Sequence, residues 1–230
     1  MIRELTGTGR SQIVLFVDAF DVIKAWIFRK KRQALADAGL VIPVSKSVQR
    51  MAVLAGQVRP ARYMPFQFIV RTLGAIEQQN GSLYLIGGRA RALEMAEGNL
   101  KYTFPQLKIV GRYQGHFRSS IQESLLLAAR KSSPDLLLVG SGVGRSGKWL
   151  AKNRDVLPDA VCIAEKGVFD VFAQRRKRPS QFLFDTGLGE TMKAVFLPWR
   201  WLRMPLYVGL FFRLLGQRVK SRKAKAPAQA

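Results

Sequence analysis

A glycine-rich turn that follows a short apolar run is the stretch of this chain best suited to chemistry. Residues 135–149 read DLLLVGSGVGRSGKW, which predicts a buried strand at Leu136–Val139 and a helix that begins near Lys148. Glycines after a strand let the backbone approach a ligand, and amides at a helix N-terminus favour negative charge. The turn is therefore a candidate phosphate-binding element. Its candidate ligand-binding residues are Gly140, Gly142, Gly144, Ser146 and Lys148.

The motif alone leaves several interpretations open. Residues 142–148 fit the P-loop pattern G-x-x-x-x-G-K, but Trp149 stands where that motif needs a magnesium-binding hydroxyl. A dinucleotide-binding fingerprint is a weak match, because the third glycine comes one position early, although Glu165 lies near the end of the next strand. The glycines could also serve only a tight strand-to-helix turn, with no ligand.

Further motifs occur on both sides of this turn. Before it come a strand that ends in Gly87 and Gly88, a helix that ends before Pro105, a strand that ends in Gly111, and the run Gly115-His116-Phe117. After it, residues 167–182 read GVFDVFAQRRKRPSQF, with Phe169 and Asp170 ahead of a basic stretch and a proline. In this order and spacing, nearly the whole chain resembles the WecG/TagA/CpsF glycosyltransferase family.

The resemblance implies a reaction and a site. It implies transfer of an N-acetylmannosamine-type sugar from a UDP-sugar donor to a lipid-linked acceptor, in cell-envelope polysaccharide synthesis. It is also compatible with a homo-oligomer, and it implies no cofactor beyond the donor substrate and no metal. The implied donor-binding residues are Gly87, Gly88, Gly140, Gly142, Gly144, Ser146, Lys148, Phe169 and Asp170, and Arg200 and Arg203 match basic positions of a C-terminal appendage over the diphosphate.

The chain departs from the family pattern where a proton must be accepted. The family's Pro-Asp-Gly, whose Asp is the proposed general base, is replaced by Pro43-Val44-Ser45, and Asp18 is the carboxylate gained at a matching position. One hypothesis is that Asp18 is the catalytic base; the other is that it only caps the following helix. In the second case the chain would be a pseudoenzyme of the same fold that binds nucleotide or a partner.

Alternating apolar strands and amphipathic helices predict the fold class. From Ile13 to Ala164 the alternation favours an α/β, Rossmann-like, mostly parallel sheet with helices on both faces, plus a C-terminal helical appendage. A single helix is predicted over 19–38, a helix over 117–131 and another over 148–157. The predicted domains are 1–178 for nucleotide-sugar binding, 179–220 for an amphipathic membrane-associating appendage, and 221–230 for a disordered basic tail.

Charge and hydropathy limit the partners. With 38 Lys and Arg against 15 Asp and Glu, the net charge of +23 implies a polyanionic partner. Aromatics and arginines interleaved over 199–213 favour an anionic membrane surface. Nucleic acid is disfavoured because no recognisable reading module is present. Without a signal peptide or roughly 18 to 20 uninterrupted apolar residues, a cytoplasmic protein, peripheral on the inner face of the membrane, is expected.

The sequence also contains a short basic run, a single cysteine and a single histidine. The basic run from Arg29 to Arg32 is interpreted as a solvated helix face. Cys162 stands alone in an apolar strand and is predicted to be buried, and the single histidine, His116, lacks the companions that a metal site needs.

Overall fold

The computed structural model describes residues 11–144, 146–178, 180–187 and 209. Six strands form one parallel sheet in the order β2-β1-β6-β5-β3-β4. The predicted α/β, Rossmann-like class is therefore confirmed. The strands are β1 Gln12–Val17, β2 Leu40–Pro43, β3 Ser82–Ile86, β4 Lys108–Tyr113, β5 Leu136–Val139 and β6 Val161–Ala164.

Helices alternate with these strands along the described residues. Short 3₁₀ turns occupy Ser119–Ile121 and Arg154–Val156. The helices are α1 Ala19–Ile27, α2 Arg29–Ala36, α3 Lys46–Leu54, α4 Pro65–Glu77, α5 Ala90–Thr103, α6 Gln122–Lys131, α7 Ser146–Lys152, α8 Val168–Phe172 and α9 Gln181–Thr186.

Two compact units divide the described residues. The first comprises 11–15, 34–41 and 65–178, and the second comprises 16–33, 42–64, 180–187 and 209. The domain division expected at 178/179 stays a prediction. Most of the predicted appendage, with Arg200 and Arg203, lies outside the described residues.

Strand β5 forms the centre of the first unit. Its four residues are fully buried between β3 and β6, as a continuous apolar run predicts. The register pairs Ile86 with Val139 and Val139 with Ala164, so that β3, β5 and β6 end level with one another. The residues that follow these strands therefore meet at one edge of the sheet. On β6, Cys162 is buried as predicted, and burial raises the pKa of its thiol.

The single helix predicted over 19–38 is wrong, because the helix breaks at Phe28. The Phe28 amide donates to the Lys24 carbonyl at 2.7 Å and closes α1, while its own carbonyl accepts from the amides of Lys31 and Arg32 and opens α2. Phe28 itself is extended, with φ −105° and ψ 114°. Residues 29–33 are all polar or charged, so no apolar stripe continues through them.

Two other predicted helices have different bounds in the structure. The helix expected over 117–131 starts only at Gln122, after a 3₁₀ turn, and the one expected over 148–157 is α7, which starts at Ser146 and ends at Lys152. The Asn153 side chain donates to the Trp149 carbonyl at 2.8 Å, which competes with continuation of α7.

Within the described part of the chain, every helix falls short of the length and apolar character that crossing a bilayer needs.

Candidate functional site

Three turns at the carboxyl edge of the sheet are hydrogen-bonded to one another. The Gly88 amide donates to the Ser141 carbonyl at 2.7 Å, and the Gly115 amide donates to the Gly88 carbonyl at 2.8 Å. The His116 amide donates to the Gly142 carbonyl at 2.6 Å. Residues 87–88, 115–116 and 140–144 thus form one assembly, which we call the three-turn platform.

Close packing between the turns explains two of the glycines. A Cβ atom placed on Gly115 would lie 2.5 Å from the Ser141 carbonyl oxygen, and one on Gly87 would lie 2.8 Å from the same atom. Gly87 also has a φ of +119°, which L side chains rarely adopt. At these positions the neighbouring turn, and not a ligand, requires glycine.

The Phe169 side chain lies behind the platform. A Cβ atom on Gly140 would lie 2.4 Å from the Phe169 ring, and one on Gly88 would lie 3.3 Å from it. The ring is 1% exposed. Phe169 was predicted to bind the nucleotide-sugar, and its position lets it act on a ligand only through the glycine backbone that it supports. Asp170, the next residue in α8, is partly buried.

A cavity of about 420 Å³ opens beside the platform. Gly142, Gly144 and Lys148, whose ligand contacts stay predictions, line it, and a Cβ atom on Gly144 would meet open space. The predicted Ser146 is only 4% exposed and is not part of the lining. Gly87, Gly88 and Gly140 also lie outside the lining. The other lining residues, which sequence reasoning missed, are Phe117, Ser119, Gln122, Val143, Trp149 and Lys152.

A hydrogen-bonded triad fixes one wall of the cavity. The Trp149 indole donates to the Gln122 side-chain carbonyl at 2.9 Å, and the Gln122 amide donates to the Asn153 side chain at 3.2 Å. Trp149 therefore positions α7 against α6, in the place where a P-loop would hold magnesium. Lys148 and Lys152 stand four residues apart on α7 and so on one helix face, a spacing that the helix predicted over 148–157 also contains.

Asp18 lies in the second unit, where it caps α1. Its Oδ1 accepts from the Asp21 amide at 2.8 Å, while Asp21 Oδ2 accepts from the Asp18 amide at 3.4 Å. The capping role is confirmed by this reciprocal pair. Val44 stands at the position of the family's proposed base. Its amide donates to the carbonyl of Val17, the residue before Asp18, at 3.0 Å within this unit. The catalytic role of Asp18 stays a prediction.

Glu165 is a carboxylate at the same edge of the sheet. The sequence indicated it only through a weak match to a dinucleotide-binding fingerprint. It follows β6 directly, and its amide donates to the Val139 carbonyl at 2.9 Å. Its Oε2 accepts from the Gly167 amide at 2.5 Å at the start of α8. Burial raises the pKa of Glu165, although the Gly167 amide and the Arg176 charge act in the opposite direction. Glu165 thus anchors the helix that carries Phe169.

Potential metal ligands are spread over the described part of the structure. Among the residues that it describes, no three His, Cys, Asp or Glu side chains cluster in a way that could hold an ion.

The packing of Phe169 against Gly140 should make the stability of the protein sensitive to any side chain at position 140. Gly140→Ala should lower the free energy of unfolding by about 1–3 kcal/mol, because the new methyl overlaps the ring. Urea unfolding followed by circular dichroism measures this change. Gly98→Ala on α5, where a Cβ atom meets nothing within 4 Å, is the control and should raise the free energy by roughly 0.5–1 kcal/mol. Equal stability of Gly140→Ala and wild type would contradict the packing.

The folding stability of the protein should depend on pH through Glu165. Because the pKa of Glu165 is raised in the folded state, the unfolded chain releases this proton at a lower pH than the folded protein does. The stability of the wild type therefore falls as the pH rises from the unfolded-state pKa to the folded-state pKa. Glu165→Gln removes that loss, so its stability relative to wild type should increase between about pH 4 and about pH 7. Urea unfolding across this range tests it, with exposed Glu94→Gln on α5 as the control for net charge. A relative stability that is constant or falls with pH would contradict the assignment.

Comparison with known proteins agrees with the motifs. A family model described as Glycosyl transferase WecG/TagA/CpsF family matches residues 1–224. The chain is 24% identical over 172 residues to an N-acetylglucosaminyldiphosphoundecaprenol N-acetyl-beta-D-mannosaminyltransferase of Bacillus subtilis (strain 168), covering 74% of this chain and 66% of that protein. It is 25% identical over 177 residues to the protein of the same name from Bacillus spizizenii (strain W23), covering 76% of this chain and 68% of that protein. The alignments thus span about two thirds of each relative. The chain belongs to the WecG/TagA/CpsF family of glycosyltransferases.

Proposed function

We propose that the protein transfers an N-acetylhexosamine, of the N-acetylmannosamine type, from a UDP-sugar to a lipid-linked acceptor in cell-envelope polysaccharide synthesis. The family membership and the names of the two relatives support this assignment. The observation that carries it is the cavity at the carboxyl edge of the sheet, where exposed glycine backbone and two lysines occur together.

The donor diphosphate suits this cavity electrostatically. Lys148 and Lys152 line it and are exposed, and Gly144 leaves its backbone open to a ligand. When the sugar leaves, negative charge grows on the departing diphosphate oxygen, and lysine charges near that atom stabilise the transition state. Arg200 and Arg203, which lie outside the described residues, stay predicted partners of the same diphosphate.

Transfer also needs a group that takes a proton from the acceptor hydroxyl. As this oxygen bonds to the anomeric carbon, the bond from that carbon to the diphosphate breaks and the proton passes to a base. We assign the base to Asp18, because it directly follows Val17, whose carbonyl accepts from the amide of Val44, the position of the family's proposed base. Asp18 Oδ1 accepts from the Asp21 amide, and Oδ2 accepts no hydrogen bond from the described residues, so that it can accept the proton.

A second candidate function is a pseudoenzyme of the same fold. The observation in its favour is Val44, which cannot accept a proton, together with the capping bond that already explains Asp18. Such a protein would bind the nucleotide in the cavity and transfer nothing.

The remaining partners belong to the proposal. We place the protein in the cytoplasm, peripheral on the inner face of the membrane, where a lipid-linked acceptor would be presented. The homo-oligomer and a reaction that needs no metal stay predictions. Turnover measured with and without EDTA checks the second of them.

The lysines of the cavity give a binding prediction. Lys148→Gln and Lys152→Gln should each weaken the affinity for uridine diphosphate about ten-fold, since each removes a charge from the diphosphate site. Isothermal titration calorimetry measures the affinity. Lys108→Gln is the control, because Lys108 is exposed in the same unit but stands at the start of β4, away from the carboxyl edge. If all three variants bind like wild type, the cavity does not hold the diphosphate.

Asp18 gives a turnover prediction. Asp18→Asn keeps the capping acceptor but cannot take a proton, so kcat should fall about 100-fold while uridine diphosphate affinity is retained. Release of uridine diphosphate in the presence of a lipid-linked acceptor measures kcat. Asp21→Asn, which changes the other half of the capping box, is the matched control and should keep turnover near wild type.

The same assay separates the two functions. Wild-type turnover that Asp18→Asn leaves unchanged would rule out Asp18 as the base. Tight binding of uridine diphosphate by the wild type without any turnover would select the pseudoenzyme.

A further inference from the structure

The corner between α1 and α2 exposes two adjacent apolar side chains. Ile27 is 47% exposed and Phe28 is 59% exposed. The backbone here is held by the hydrogen bonds of Phe28 to Lys24, Lys31 and Arg32. The exposure therefore follows from the way the two helices are joined, and not from a loose loop.

Exposed basic residues follow these apolar side chains directly in the chain. Arg29, Lys30 and Arg32 are exposed, and none of them forms an ion pair with a carboxylate of the described residues. Lys31 differs, because it pairs with Asp21 at 3.3 Å and holds α2 against α1. Helix α2 has no acidic residue. We call Ile27, Phe28, Arg29, Lys30 and Arg32 the α1–α2 corner.

A described residue of the C-terminal segment, Gly209, lies beside α1. Gly209 is helical, and a Cβ atom on it would lie 3.6 Å from the Trp26 ring, at the end of α1. Its sequence neighbours, 206–213, read LYVGLFFR, which belongs to the stretch predicted to contact a membrane. One residue of that stretch thus lies beside Trp26, which directly precedes the α1–α2 corner in the chain.

We propose that the α1–α2 corner is a docking surface for an anionic lipid bilayer. The side chains of Ile27 and Phe28 enter the boundary between headgroups and acyl chains, and Arg29, Lys30 and Arg32 meet lipid phosphates. An exposed aliphatic and an exposed aromatic side chain at the start of a basic run favour lipid over nucleic acid, whose polyanionic surface offers no apolar layer for Ile27. The proposal rests on the peripheral membrane placement in the proposed function and names the surface that would make it, while docking itself requires neither donor nor acceptor.

Vesicle flotation of the full chain tests the surface. Vesicles of phosphatidylcholine mixed with phosphatidylglycerol should float the wild type, and phosphatidylcholine alone should float it less. Ile27→Ser with Phe28→Ser, and separately Arg29→Gln with Lys30→Gln and Arg32→Gln, should each lower the partition coefficient about ten-fold. The control on α6 is Leu127→Ser with Arg130→Gln and Lys131→Gln, because Leu127 is 54% exposed beside two exposed basic residues. This control should bind like wild type.

A label at the corner provides a second measurement. Phe28→Cys carrying an environment-sensitive fluorophore should shift its emission to the blue on anionic vesicles, and Leu127→Cys should not. The only native cysteine, Cys162, is fully buried, which directs the label to the new site. Retained uridine diphosphate affinity in each variant shows that the fold and the donor site are intact, so that a failure of docking is separate from a failure of the proposed transfer.

Several results would overturn the proposal. Wild type that does not float, corner variants that float like wild type, or an equal loss in the α6 control would each do so. So would a corner effect seen only on binding to a DNA duplex, or only on self-association measured by light scattering.

Discussion

The candidate site depends on the interlocking of three turns over one buried aromatic ring. Backbone hydrogen bonds join the turns at 87–88, 115–116 and 140–144, and Phe169 fills the space beneath two of them. Glycine is needed there because protein atoms occupy the places where side chains would begin. The platform thus presents its backbone in a fixed geometry before any ligand arrives, which lowers the cost of ordering on binding.

The sheet makes this arrangement available. Three parallel strands end level because their register is uninterrupted, and each is followed by a residue that takes part in the platform or its support. Glu165 links the last of these strands to α8, which carries Phe169. Glu165 is partly buried, and this burial raises the pKa of its carboxyl group. Support for the site therefore extends from the sheet through a carboxylate to the ring and the glycines.

Much of the fold could be predicted from the sequence, because local signals agree with the final structure. Strand β5 has its predicted bounds, since four apolar residues stand between Asp135 and Gly140. Trp149 was predicted to be unable to bind magnesium, but its partner Gln122 is 27 residues away and no local pattern indicates that contact. The break at Phe28 was missed because helix propensity continues through the basic run, while the apolar stripe does not. Packing of Phe169 under two distant turns depends on tertiary distances alone.

The cavity beside the platform joins the fold to the proposed chemistry. A crystal structure with uridine diphosphate bound tests this link most directly. We expect the diphosphate oxygens within hydrogen-bonding reach of the backbone at 142–144 and of Lys148. A diphosphate bound elsewhere on the protein, with only solvent between Gly144 and Lys148, would contradict it.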